Sequence, residues 1–169
     1  MMRNLVFALA LGSASLAITS AVWSAEQEDQ ALLKALAGVK VSLQQGLTAS
    51  QQRGRPISAK FELEDGKLQL SVYTEKDGKF SEVIVDHRTG KIEEAELITG
   101  GDDLKYAQEQ SAAMGKAKTS LKDAVDKAER GDAGSRAVSV TPQLKDGHPI
   151  ASIVLRKGTQ LKTVEQPLG

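Results

Sequence analysis

Hydrophobic and polar side chains alternate from residue 57 onward. Ile57, Ala59, Phe61 and Leu63 take every second position against Ser58, Lys60, Glu62 and Glu64, and Leu68, Leu70 and Val72 alternate with Gln69, Ser71 and Tyr73. A period of two predicts strands with one buried and one polar face. Asp65-Gly66 between the two runs predicts a two-residue hairpin turn. Asp77-Gly78 turns the chain again into "KFSEVIVD", where the alternation slips and predicts a bulge, and the extended run "KIEEAEL" follows. The same pattern returns later. "RAVSVTPQL" and "IASIVL" flank Asp146-Gly147, and Lys157-Gly158 leads into "QLKTV".

Ahead of each block the period lengthens to three or four. Leu43 and Leu47 form one apolar stripe, and Leu121, Val125 and Ala128 form another; this spacing predicts amphipathic helices. Ser42 with Gln45, and Ser120 with Asp123, stand at N-cap and N3, where the serine oxygen accepts from an unpaired first-turn N–H. Gly54 and Gly131 are placed to end these helices, and Pro56 confirms the first stop. Further helical stretches precede them at 29–38 and 102–115.

These blocks are similar to each other. "VKVSLQQGLTASQQRG" (39–54) parallels "AKTSLKDAVDKAERG" (117–131), and "ELEDGKLQLSV" (62–72) parallels "QLKDGHPIASI" (143–153). The offset is 120 − 42 = 78 at the capping serines and 147 − 66 = 81 at the hairpin glycines, so the second copy carries three extra residues between helix and hairpin. The expected fold is α+β: two tandem repeats, 25–100 and 101–169, each a helix packed on a small antiparallel sheet.

The first two dozen residues predict export. Arg3 is followed by an apolar run from Leu5 to Ile18 and by small residues, with Val22 and Ser24 suiting a cut after Ser24 and Ala25 or Ala21 as the alternatives. The run falls short of the roughly 20 residues of a spanning helix, and no basic cluster follows it, so a cleaved signal peptide (1–24) is expected and no membrane association after cleavage. The mature chain would hold 169 − 24 = 145 residues. Its charge is 21 basic against 22 acidic residues once Arg3 is removed from the balanced 22 and 22. That balance speaks against nucleic acid as a partner. The absence of cysteine leaves no disulfide framework, thiol chemistry or lipid-attachment site, which suits a periplasmic or secreted bacterial protein.

Candidate chemistry centres on "VDHRTGK", residues 85–91. A phosphate-binding loop would need glycine five residues before Gly90 and Ser or Thr after Lys91, where Val85 and Ile92 stand. Asp86 and His87, if they continue a strand, point to opposite faces and form no dyad. His148, the other histidine, directly follows the hairpin glycine. Two turn histidines without cysteine make a poor metal set. The acidic residues Glu93, Glu94, Glu96, Asp102 and Asp103 lack calcium-loop spacing. No serine elbow or other nucleophile–base set occurs, so neither enzyme chemistry nor a metal or cofactor is expected.

A Ser-Leu-capped helix, a glycine break, an Asp-Gly hairpin and then "SEVIVDHRTGKI" together resemble the PepSY family. That family's closing Val-Asp-x-x-Thr-Gly-Lys stretch corresponds to Val85, Asp86, Thr89, Gly90 and Lys91. The resemblance covers 39–98 well. In the second copy it extends over helix and hairpin, but "VEQPLG" replaces the Thr-Gly-Lys ending. The resemblance implies a non-catalytic module of exported bacterial proteins, found in propeptides of thermolysin-type metallopeptidases, which it inhibits and helps to fold. Here that action would be in trans, on another exported protein. The first copy's exposed sheet or its Thr89-Gly90-Lys91 turn is the expected contact. A ligand- or signal-sensing module using the cleft between the copies is the alternative.

Overall fold

The computed structural model describes residues 18–169, with side chains from Gln27 onward. Arg3 and nearly all of the expected apolar export run lie outside the described residues. The expected cut after Ser24 falls within the first helix, α1 (Ile18–Ala35). Among the described residues no helix is long and apolar enough to cross a membrane.

The protein is α+β. After α1 and a 3-10 turn (Leu36–Gly38) come α2 (Leu43–Ser50), β1 (Arg55–Glu64), β2 (Lys67–Lys76), β3 (Lys79–Val85) and β4 (Ile92–Ile98). Then follow α3 (Gly101–Lys116), α4 (Leu121–Gly131), β5 (Arg136–Lys145), β6 (His148–Lys157) and β7 (Gln160–Pro167). The seven strands form a single antiparallel sheet in the order β4-β3-β2-β1-β5-β6-β7.

Two separate small sheets were expected, and one continuous sheet is found. The join is β1 with β5, through Ala59 opposite Val140 and Lys60 opposite Ser139. Both strands would otherwise be open edges in the middle of the molecule, each with a row of unpaired N–H and C=O groups, and the pairing removes both edges. Ala59 stands 140 − 59 = 81 residues before Val140, the same offset that separates the hairpin glycines.

That offset of 81 recurs through both meanders. Glu62 faces Gln69 and Gln143 faces Ile150; Leu70 faces Val85 and Ala151 faces Gln166, the counterpart pair. β1 bulges between Pro56 and Ser58 against β2, and β5 between Ala137 and Ser139 against β6. The slip anticipated in "KFSEVIVD" is a register shift at Ile84/Val85 against β4.

Local chemistry sets the ends of the helices. Ser42 and Gln45 form a full capping box on α2, and Ser120 caps α4 by accepting from the Asp123 N–H at 3.1 Å. Gly131 was expected to stop α4 from just outside it and is instead its last helical residue, while Gly134 takes the positive φ of 85°. Gly54 is needed for close approach, since a Cβ there would lie 2.7 Å from the Glu75 carbonyl oxygen.

The hairpin turns match expectation. Asp65-Gly66 has φ of 50° and 74°, and Asp146-Gly147 has 52° and 80°, two left-handed residues in each turn. A β-branched residue cannot adopt these angles cheaply. Gly66→Val and Gly147→Val should each lower stability by about 1–2 kcal/mol, read as a reduced denaturant midpoint with unchanged slope.

One apolar core crosses the join. Ala59, Phe61, Leu70, Val72, Val83 and Val85 share a sheet face with Val140, Ile153 and Leu155, and all are buried. α2 lies on this face, with Gly46 over the Leu70 side chain, and α4 lies beside α2. Gln44 ties the two helices by donating to Asp126 and Glu129 at 3.1 and 3.0 Å.

The opposite face of the sheet is the polar one by alternation. α3 packs there against β5, β6 and β1, and its Gln110 accepts from the Ser58 hydroxyl at 2.7 Å. A polar strand pattern does not exclude a helix when the polar groups find partners beneath it.

Candidate functional site

The turn after β3 is held from within. Asp86 accepts from the N–H groups of Arg88 (3.1 Å) and Thr89 (2.5 Å), its own N–H donates to the Lys91 carbonyl, and Gly90 donates to the Asp86 carbonyl, both at 2.8 Å. Gly90 takes φ of 75°. These bonds stabilise the carboxylate and hold Asp86 below its ordinary pKa, with Thr89 the main cause. Val85 is the buried end of β3, whereas Thr89 and Lys91 are exposed.

Asp86 and His87 form no dyad, because the carboxylate binds the turn's own N–H groups. His87 is used through its backbone: its carbonyl accepts from both Lys40 (3.0 Å) and Val41 (3.1 Å), clipping the segment before α2 to the end of β3. Its Nδ1 is buried without a hydrogen-bond partner. The carbonyl of Leu168 does the same for Lys118 (2.6 Å) and Thr119 (3.0 Å). The carbonyls are 168 − 87 = 81 apart and the donors 118 − 40 = 78, the two offsets seen in the sequence. The five residues Val85, Asp86, Thr89, Gly90 and Lys91 are thus brought together as one turn that fastens α2's entry.

Among the described residues no group of three or more His, Asp or Glu is placed to share a metal ion. The polar face instead carries a paired network. Lys60 meets Glu62 at 2.6 Å, Ser71 donates to Glu62 at 2.7 Å, and Gln69 donates to Ser71 at 2.8 Å. Buried Tyr73 donates to Glu82 at 3.2 Å beside them. Burial, with the Glu82 charge next in importance, raises the Tyr73 phenol far above the ordinary tyrosine range. The fold therefore favours neutral Tyr73. Its contribution is intact below the free phenol's pKa of about 10, and stability falls as pH rises beyond it. Absorbance titration should show no phenolate from Tyr73 until the protein unfolds at alkaline pH.

Sequence reasoning missed a concavity. A cavity of about 500 Å³ lies where the 39–43 segment meets the α4–β5 corner, with Lys40, Arg136 and Arg156 on its wall beside Val39, Val41 and Phe61. A smaller hollow of about 240 Å³ holds the residues at the same offsets in the other half, including Lys118, Ser120, Leu121 and Arg55.

Comparison with protein-family models, curated proteins and solved structures gives no match.

Proposed function

We propose that the protein is an exported, non-catalytic binding module of PepSY type, built as two copies of one unit (25–100 and 101–169). We propose that it acts on another exported protein. A thermolysin-type metallopeptidase inhibited in trans is the partner class to which the PepSY resemblance points. The constant offsets of 78 and 81 in caps, bulges, registers and carbonyl clips support the two-copy reading.

The outer edge of β7 carries the binding assignment. β7 pairs with β6 as β3 pairs with β2, yet β3 has β4 on its outer side while β7 has no outer neighbour among the described residues. A free antiparallel edge accepts an extended segment by strand addition, the backbone supplying affinity and alternate side chains specificity. The β4 edge is less suited, since exposed Glu93, Glu94 and Glu96 guard it. The turn at Asp86–Lys91 serves the fold in this reading, and the partner's strand takes on β7 the place that β4 takes on β3.

Successive N–H groups of an edge strand point alternately inward and outward. One of Lys162→Pro and Thr163→Pro therefore removes an outward donor while keeping the β6–β7 ladder. That variant should keep its melting temperature and lose co-elution with the partner from exported protein. Undiminished co-elution in both would exclude β7 as the contact.

The cavity favours a second reading, a ligand-sensing module that uses the cleft between the copies. Its volume lies within the range of about 300–1,000 Å³ common for small-molecule sites.

A further inference from the structure

We propose that the cavity between the two halves binds a small organic anion, a carboxylate or phosphate monoester carrying an aliphatic chain. The inference rests on the second reading above and adds the chemistry of the ligand.

The protein contains its own comparison. Arg55 and Glu75 face each other across β1–β2 and form an ion pair at 3.0 Å beside the smaller hollow. Adding 81 to each number gives Arg136 and Arg156, which face each other across β5–β6 on the wall of the larger cavity. Where one half has a neutralised pair, the other has two like charges directly opposed, an arrangement that destabilises a sheet unless an anion lies between them.

The carboxylate available nearby does not resolve this. Glu129 is the only acid on the cavity wall among the described residues, and its oxygens already accept from the Ala137 N–H at 2.8 Å and from Gln44 at 3.0 Å. It reaches Arg136 at 3.4 Å, and among the described residues the Arg156 side chain has no ion pair or hydrogen bond. Lys40, whose N–H is clipped to His87, brings a third cation whose ammonium also has no partner among the described residues. Three cations against one engaged carboxylate leave the wall with a charge of 3 − 1 = +2.

Two guanidinium forks suit the oxygens of a carboxylate or phosphate. Val39, Val41, Phe61 and Val138 on the same wall offer apolar surface to a short chain. A bare inorganic ion would leave that surface unused, and a neutral or cationic ligand would leave Arg156 unmatched.

The test is amide chemical-shift titration of the full chain with hexanoate, hexyl phosphate, inorganic phosphate, hexan-1-ol and hexylammonium. Hexanoate or hexyl phosphate should shift Lys40, Arg136 and Arg156, with the difference between them identifying the headgroup. Inorganic phosphate, hexan-1-ol and hexylammonium should bind at least about tenfold more weakly. Arg156→Glu recreates with Arg136 the pairing that Glu75 makes with Arg55. It should abolish anion binding while the melting temperature holds or rises, and Arg156→Gln should weaken binding without adding a new pair. Equal binding of hexan-1-ol or hexylammonium in the cavity would overturn the anion assignment and leave the ligand-sensing reading standing. Inorganic phosphate binding as tightly as hexyl phosphate would overturn the aliphatic part. Failure of all five probes would overturn both readings of the cavity, and hexanoate binding unchanged in both Arg156 variants would remove Arg156 from the site.

Discussion

Val140→Asp should leave the chain without a stable fold. Val140 is wholly buried and faces Ala59 at the one place where the two meanders join. The carboxylate would enter an apolar layer between Ala59 and Ile153, where no cation is paired across from it. An uncompensated buried charge costs about 3–5 kcal/mol, a large share of the roughly 5–15 kcal/mol by which domains are stable. Because the core is continuous through the join, hydrogen exchange should show amides of β2 and β6 losing protection together. Continued protection of β2 in the variant would mean that the halves fold independently.

Leu70→Ala should lower stability by about 2–5 kcal/mol. Leu70 is fully buried, faces Phe61 and Val85 on its two neighbouring strands, and fills the groove that Gly46 opens in α2. A Cβ on residue 46 would stand 2.5 Å from a Leu70 methyl, so glycine there exists to admit this side chain. Truncation leaves a cavity that neither α2 nor the paired strands can close without breaking hydrogen bonds. The double variant Gly46→Ala/Leu70→Ala should recover part of the loss, and a cycle in chemical denaturation measures that recovery.

Much of this architecture was readable in the sequence because its determinants are local. Asp65-Gly66 and Asp146-Gly147 encode their turns through backbone sterics, and Ser42 and Ser120 encode helix starts through one side-chain oxygen each. The union of the strands into one sheet was not legible. It depends on Ala59 meeting Val140, a contact between residues 81 apart that alternation alone does not specify. The cover of α3 over the polar face was hidden for a related reason. Ser58 reads as solvent-facing until Gln110 is brought to it.

For the candidate site, the integrity of the Val85–Lys91 turn was legible, but its task was not. His87 works through a carbonyl, and backbone acceptors carry no residue signature. The cationic cavity left a trace that could have been followed. The offset of 81 places Arg156 where the first half has Glu75, and that single reversal of charge marks the difference between the two hollows.

The most direct test of the binding assignment is a progress curve of a secreted thermolysin-type metallopeptidase from the same cell, with and without the protein. Inhibition that saturates at a fixed ratio is expected, and it should disappear with whichever of Lys162→Pro and Thr163→Pro keeps the fold. Unchanged peptidase activity, together with turnover of any substrate by the protein itself that His87→Ala abolishes, would contradict it.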